Sequence, residues 1–150
     1  MTPEAPSRVN EADGSLASRR MSSPSPRATD EAIEAARHAA QAIADKKGED
    51  VQLLDLSGLL VVTDVFLIAS GNSTRHVKTL AEDAEEALKE IDRRPIRREG
   101  TDHGEWILLD YGDLVLHVFA KETREYYDLE RLWADAPRIV FEPSSTAIDS

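Results

Sequence analysis

The chain of 150 residues has no cysteine. That absence excludes a disulfide framework, thiolate metal ligation and thiol nucleophiles together, and it fits a reducing compartment. Long apolar runs are lacking too: none approaches the roughly 20 residues a bilayer-spanning helix needs, and the first residues carry no hydrophobic stretch of a secretory signal. A cytoplasmic protein is expected. Positive charge is in short supply, with 18 Lys and Arg against 29 Asp and Glu and a net charge of −11 at pH 7. The acidic excess falls after Ala28. Such a surface repels a phosphate backbone, which argues against direct nucleic-acid binding and favours basic partners, including basic proteins that themselves sit on nucleic acid. Internal repeats are absent, as are a Walker pattern, a dinucleotide fingerprint and a Gly-x-Ser-x-Gly elbow.

Aromatic residues make up only 5% of the chain, so it is informative that both tryptophans fall in one stretch, 106–133, WILLDYGDLVLHVFAKETREYYDLERLW. Residues 106–111 and 114–121 are rich in β-branched, aliphatic and aromatic side chains, and Gly112 sits between them where a tight turn needs a positive φ. Alternation predicts an antiparallel ribbon whose second arm puts Leu114, Leu116, Val118 and Ala120 on one face, towards a core. Val115, His117, Phe119 and Lys121 share the other face, which continues into Tyr126, Tyr127, Leu129, Leu132 and Trp133. A half-polar face with aromatics beside it has the make-up of a protein-binding surface. The same aromatics also suit a core, where large rings dominate the energetics.

The rest of the chain reads as scaffold. Residues 1–28, rich in Pro, Ser and Arg without apolar periodicity, are expected to be a disordered extension, with Met21 an alternative start. Thr29 or Asp30 can cap a helix that ends at Lys46 and Lys47 before Gly48, with Ile33, Ala36, Ala40, Ile43 and Ala44 along one side. Strands are expected at 51–56 and 64–70, the second central, with the aliphatic patch 59–62 between them. Asn72 or Ser73 then caps a helix running to Ile91. Its apolar side is Val77, Leu80, Ala81, Ala84, Leu88 and Ile91, and Glu82, Asp83, Glu85, Glu86 and Glu90 face water. His38 reads as a solvated helix residue. A short edge strand at 96–98 precedes a polar loop and the ribbon. The order predicts an α/β domain over 29–137, a mixed sheet of about five strands with two long helices packed on it, and a flexible tail over 138–150.

Chemistry is hard to find in these residues. The Gly71-Asn72-Ser73 turn could receive an anion at a helix N-terminus, though Asn and Ser are also ordinary capping residues. Asp110, Asp113, His103 and His117 could be drawn as a metal or acid–base site, and Asp55 and Asp64 flank the first strand connection. No spacing forces any of these groups to converge, and Asp is common beside tight turns. No catalytic, cofactor-binding or metal-binding residues are therefore assigned.

Four runs carry a family resemblance: TDVFLIASGNSTRHVK (63–78), REG at Gly100, EWILLDYGDLVLHVF (105–119) and REYYDLERLW (124–133). With them, residues 29–137 closely resemble the ribosomal silencing factor family, RsfS, also called Iojap-like proteins. Val65 stands where that family more often has an aromatic. The resemblance implies a nucleotidyltransferase-like α/β domain without the catalytic carboxylates, hence no enzyme. It implies binding to the large ribosomal subunit through large-subunit ribosomal protein fourteen, steric blocking of small-subunit joining, and lowered translation when nutrients are scarce. The expected partner surface is Trp106, Asp110, Tyr111, Asp113, His117, Phe119, Tyr126, Tyr127, Asp128, Leu129 and Trp133. A nucleotidyltransferase-like enzyme or nucleotide-binding module is the alternative, and a homodimer through the apolar face is a further expectation.

Overall fold

The computed structural model describes residues 28–59 and 63–144. The expected disordered leader, the start at Met21, the patch beyond Leu59 and the end after Ser144 lie outside the described residues. The first helix, α1 (Asp30–Asp45), starts where the Thr29 hydroxyl accepts the Ala32 amide at 3.1 Å, leaving one fewer unpaired donor in the first turn. At its other end Lys47, not Gly48, takes the left-handed φ of 68°. Gly48 is required for a different reason: a Cβ there would stand 2.2 Å from Ile43 Cγ2 and 2.9 Å from the Ile43 carbonyl oxygen.

The strands follow as β1 (Glu49–Asp55), β2 (Val65–Gly71), β3 (Arg97–Glu99), β4 (Trp106–Asp110) and β5 (Leu114–Ala120). Helix α2 (Thr74–Glu90) lies between β2 and β3, and α3 (Lys121–Tyr127) and α4 (Leu129–Leu132) come after β5. The ribbon forms as expected: Tyr111 N–H donates to the Leu114 carbonyl at 2.8 Å, and Gly112 adopts φ 89° between the arms. The sheet order is β1-β2-β5-β4-β3. Only the central β2–β5 pair is parallel, with Val65 opposite Leu114 and Gly71 opposite Ala120. The chain leaves β2, crosses by α2 to the far edge at β3, and returns through β4 to fill the centre with β5. This is the expected mixed α/β sheet of five strands.

Side-chain parity divides the interior into two layers. On one face Leu53, Val65, Leu67, Ala69, Ile107, Leu109, Leu114, Leu116 and Val118 meet the alanine-rich side of α1 and Val77, Leu80, Ala84 and Leu88 of α2. Small residues on α1 let it lie close to α2 and the sheet. Ile91, expected on the buried side of α2, instead follows it as an exposed cap. The acidic belt is also not simply solvated, since Lys46 pairs with Asp83 at 3.1 Å and Arg98 binds Glu85 through its Nε at 3.1 Å.

The other face of the sheet is covered as well. Leu54, Leu56, Ile68 and Phe119 are buried there with Ala136, and Phe66, Trp106, Leu129 and Trp133 close over them. All seven residues of β5 are therefore buried. The expectation that Val115, His117 and Phe119 form an accessible half-polar face is corrected. The physical reason is that α3, α4 and the turn to Ala136 supply a second cover, and β5 at the sheet centre has both faces inside, as central parallel strands do. Lys121 is not on that face either; it opens α3.

Residues 138–144, expected as part of a flexible tail, run along the outer edge of β1. Asp55 N–H donates to the Pro137 carbonyl at 2.8 Å and Ile139 N–H to that of Leu53 at 2.9 Å. Arg37 Nε reaches the Val140 carbonyl at 3.1 Å and Ser144 N–H reaches Gln41 Oε1 at 2.9 Å. Ile139 and Phe141 pack on the first core layer, so packing continues past Pro137 and covers an otherwise open strand edge.

Candidate protein-docking surface

Beyond Ala120 the chain turns directly into α3, and Asp128 takes the left-handed conformation, φ 50° and ψ 55°, at the joint with α4. That bend sets two short helices against the end of the sheet. It leaves Tyr126 81%, Leu132 68% and Tyr127 50% exposed, a concentration of large apolar side chains that the second core layer does not absorb. The tyrosine rings meet edge to face at 5.0 Å between centroids. Tyr127 also lies 4.7 Å from Trp106, which in turn stacks on buried Phe119 at 4.9 Å. The exposed ridge thus stands on a continuous aromatic column rooted in the core. Offset and edge contacts of this kind are worth about 1 kcal/mol each beyond area burial.

His117 belongs to the root of that column. Trp106 Nε1–H donates to its Nδ1 at 3.1 Å, and the Phe66 ring lies 4.5 Å away. An indole nitrogen only donates, so Nδ1 is the acceptor and the proton sits on Nε2, which has no hydrogen-bonding partner among the described residues. Burial pushes the imidazole pKa down to about 4. Since a free imidazole titrates near 6.5, the unfolded chain takes up this proton before the folded one. Stability is therefore flat above about pH 6.5 and falls as the pH drops from there to about 4, by about 3 kcal/mol over the window. Urea denaturation at pH 7 and pH 4.5 should show wild type losing more than His117→Gln; equal losses would mean that His117 is not buried neutral.

The other candidates lie elsewhere. Asp110, Tyr111 and Asp113 flank the ribbon turn, at the opposite end of β5 from α3, about 20 Å away along an extended strand. Tyr111 is buried in the first core layer, and burial raises its phenol pKa to about 12. Asp110 accepts the Gly112 amide at 2.8 Å, as Asp beside a tight turn does, and Asp113 pairs with Arg93 at 2.5 Å. The structure brings together Trp106, Tyr126, Tyr127, Asp128, Leu129 and Trp133, keeps His117 and Phe119 beneath them, and separates Asp110, Tyr111 and Asp113 from them.

Two groups that the sequence reading passed over support the ridge. Phe66 meets Trp133 at 6.2 Å and His117 from β2; its place in the alternation of VFLIAS puts it on that face. Arg124 is buried and binds Glu130 and Ser70, for which a charged residue in a helical turn gives no visible signal.

The groups sketched as a chemical site are occupied with structural tasks. Asp55 accepts the amides of Ala28 and Ser57 at 3.1 and 3.0 Å. At the Gly71-Asn72-Ser73 turn the Asn72 amide donates to His76 Nδ1 at 3.0 Å, and Ser73 Oγ accepts the His76 amide at 3.0 Å. Two of the donors and acceptors an anion would use there are thereby taken by the chain itself. Among the described residues no three His, Asp or Glu side chains are grouped so as to hold a metal ion, and no helix is long and apolar enough to cross a membrane.

Comparison with known proteins agrees with this geometry. The family model described as ribosomal silencing factor during starvation matches residues 29–149. The ribosomal silencing factor RsfS of Bacillus subtilis is 44% identical over 99 residues, spanning 66% of this chain and 84% of that protein. RsfS of Halalkalibacterium halodurans is 41% identical over 104 residues, or 69% and 89% of the two chains. A crystal structure of a Chromobacterium violaceum protein superposes with a TM-score of 0.67 at 36% identity, covering 79% of this chain and 98% of that one. With the family model spanning both core layers and the docking ridge, the chain belongs to the ribosomal silencing factor family, RsfS.

Proposed function

We propose that this protein docks on the large ribosomal subunit through large-subunit ribosomal protein fourteen and sterically prevents the small subunit from joining, lowering translation when nutrients are scarce. The observation that carries the reading is the Tyr126–Tyr127–Leu132 ridge, anchored by Trp106 and set among carboxylates. Glu122, Glu125 and Asp135 are exposed around it, with Asp128 and Glu130 half-buried beside them. Tyrosine and tryptophan that desolvate at an interface centre are typical energetic anchors, and an acidic rim steers basic partners such as ribosomal proteins. Blocking by occupancy needs no catalytic group. The contact surface in this reading is Trp106, Tyr126, Tyr127, Asp128, Leu129, Leu132 and Trp133, and self-association over the same ridge would compete with the ribosome.

The test is sedimentation of purified large and small subunits at association-promoting Mg²⁺, with and without the protein, followed by binding to isolated ribosomal protein fourteen. Expected are co-migration with the large subunit, loss of the joined-ribosome peak and direct binding to the isolated protein. A protein that stays at the top of the gradient overturns the reading.

A further inference from the structure

The geometry points to Arg124 as a positioning residue for the docking ridge, holding α3, α4 and the end of β2 in the one arrangement that presents Tyr126 and Tyr127 together. The inference rests on the function proposed above and adds a residue that is not itself part of the contact surface. Arg124 is one position before Glu125 and two before Tyr126, yet its side chain is only 7% exposed. Its Nη1 donates to Ser70 Oγ on β2 at 2.8 Å. Its Nε donates to Glu130 Oε2 on α4 at 2.8 Å, and Nη2 reaches the same carboxylate. Asp50 of β1 stands 3.8 Å from Nη2.

One planar guanidinium therefore spans three elements, and its fork geometry sets direction as well as distance. The joint it braces is strained: Asp128, a non-glycine residue, holds a left-handed conformation between two helices of seven and four residues. Helices that short have little stability of their own. Without the brace, nothing on the page other than Leu129 and Trp133 packing fixes the angle between α3 and α4, and the Tyr127–Trp106 contact depends on that angle.

Charge and positioning predict opposite signs, which makes the idea testable. The proposed partner is basic, so removing a cation from an acidic docking face should by charge alone tighten binding. Loss of positioning should weaken it. With purified large subunits, Arg124→Gln is expected to bind about tenfold more weakly, within the range of coupling between residues of one network. Its near-ultraviolet circular dichroism should change in the band that Tyr127→Ala also removes, because that band reports the Trp106–Tyr127 pair. The Arg124→Gln, Tyr127→Ala double variant should bind no more weakly than Tyr127→Ala alone, and Arg124→Lys, which keeps the charge but cannot hold Ser70 and Glu130 at once, should fall between wild type and Arg124→Gln.

Equal or tighter binding by a folded Arg124→Gln with an unchanged spectrum overturns the inference. If Arg124→Gln does not fold, Ser70→Ala removes one arm of the brace without changing charge. A few-fold loss then supports positioning, and wild-type affinity rejects it. If wild type itself fails to bind large subunits, the proposed function falls, while the spectra of these variants still decide whether Arg124 sets the ridge.

Discussion

Replacing Phe119 by Ala should destabilise the domain by about 3–5 kcal/mol, the usual cost of removing a large ring from a close-packed interior. Phe119 is fully buried, stacks on Trp106 and shares the second core layer with Leu54, Leu56 and Ile68. Those aliphatics sit on a sheet and cannot collapse far into the space, so most of the cavity penalty should persist. Against a total stability of about 5–15 kcal/mol for a domain of this kind, the loss would move the urea midpoint by a large fraction. The measurement also separates two roles for the residue. A partner contact on the surface would leave the midpoint near wild type and reduce only ribosome affinity. A stability loss below about 1 kcal/mol would show that the second layer is not a core.

The second large effect is the mirror image. Tyr126→Ala with Tyr127→Ala should cost about 2–4 kcal/mol of large-subunit binding, roughly 30- to 1000-fold, while the melting temperature hardly moves. Tyr126 is the most exposed large side chain of the ridge and buries little on folding. Tyr127 loses its contact with Trp106, but that indole keeps its stack on Phe119 and its hydrogen bond to His117. The two single changes should not sum to the double, because the rings touch and share one patch. Titration of labelled protein into purified large subunits measures the loss. Wild-type occupancy by a folded double variant would remove the ridge as the contact surface.

Much of this fold was legible in the sequence, and the limits have physical causes. Thr29 and Ser73 announced helix starts because capping places a small hydroxyl before a periodic run. The ribbon around Gly112 was legible because a two-residue connection between alternating strands demands a positive φ. Alternation assigned LVLHVFA to two faces but not the fate of the second face. One histidine in an otherwise apolar set looks half-polar until its Nδ1 is seen receiving an indole proton. The strap over β1 left no trace because its contacts run through the Pro137 and Leu53 carbonyls, and backbone bonding carries no side-chain signature. For the site, the aromatic content of the stretch pointed to the right region. Proximity in sequence misled for Asp110, Tyr111 and Asp113, since a strand of seven residues carries its two ends far apart.

The placement of β5 also governs when this protein comes to exist. Its seven residues occupy the middle of the sheet, between β2, which precedes it by more than forty positions, and β4. Until the chain has been made past Ala120, β2 has no neighbour on that side, and the inner faces of α1 and α2 have only half a sheet to cover. Such a nascent chain gains little from partial assembly, since closing the long β2–β5 loop must precede the contacts that reward it. The docking helices come later still, directly after the strand that locks the rest. A repressor of translation built in this order becomes competent only near the completion of its own synthesis.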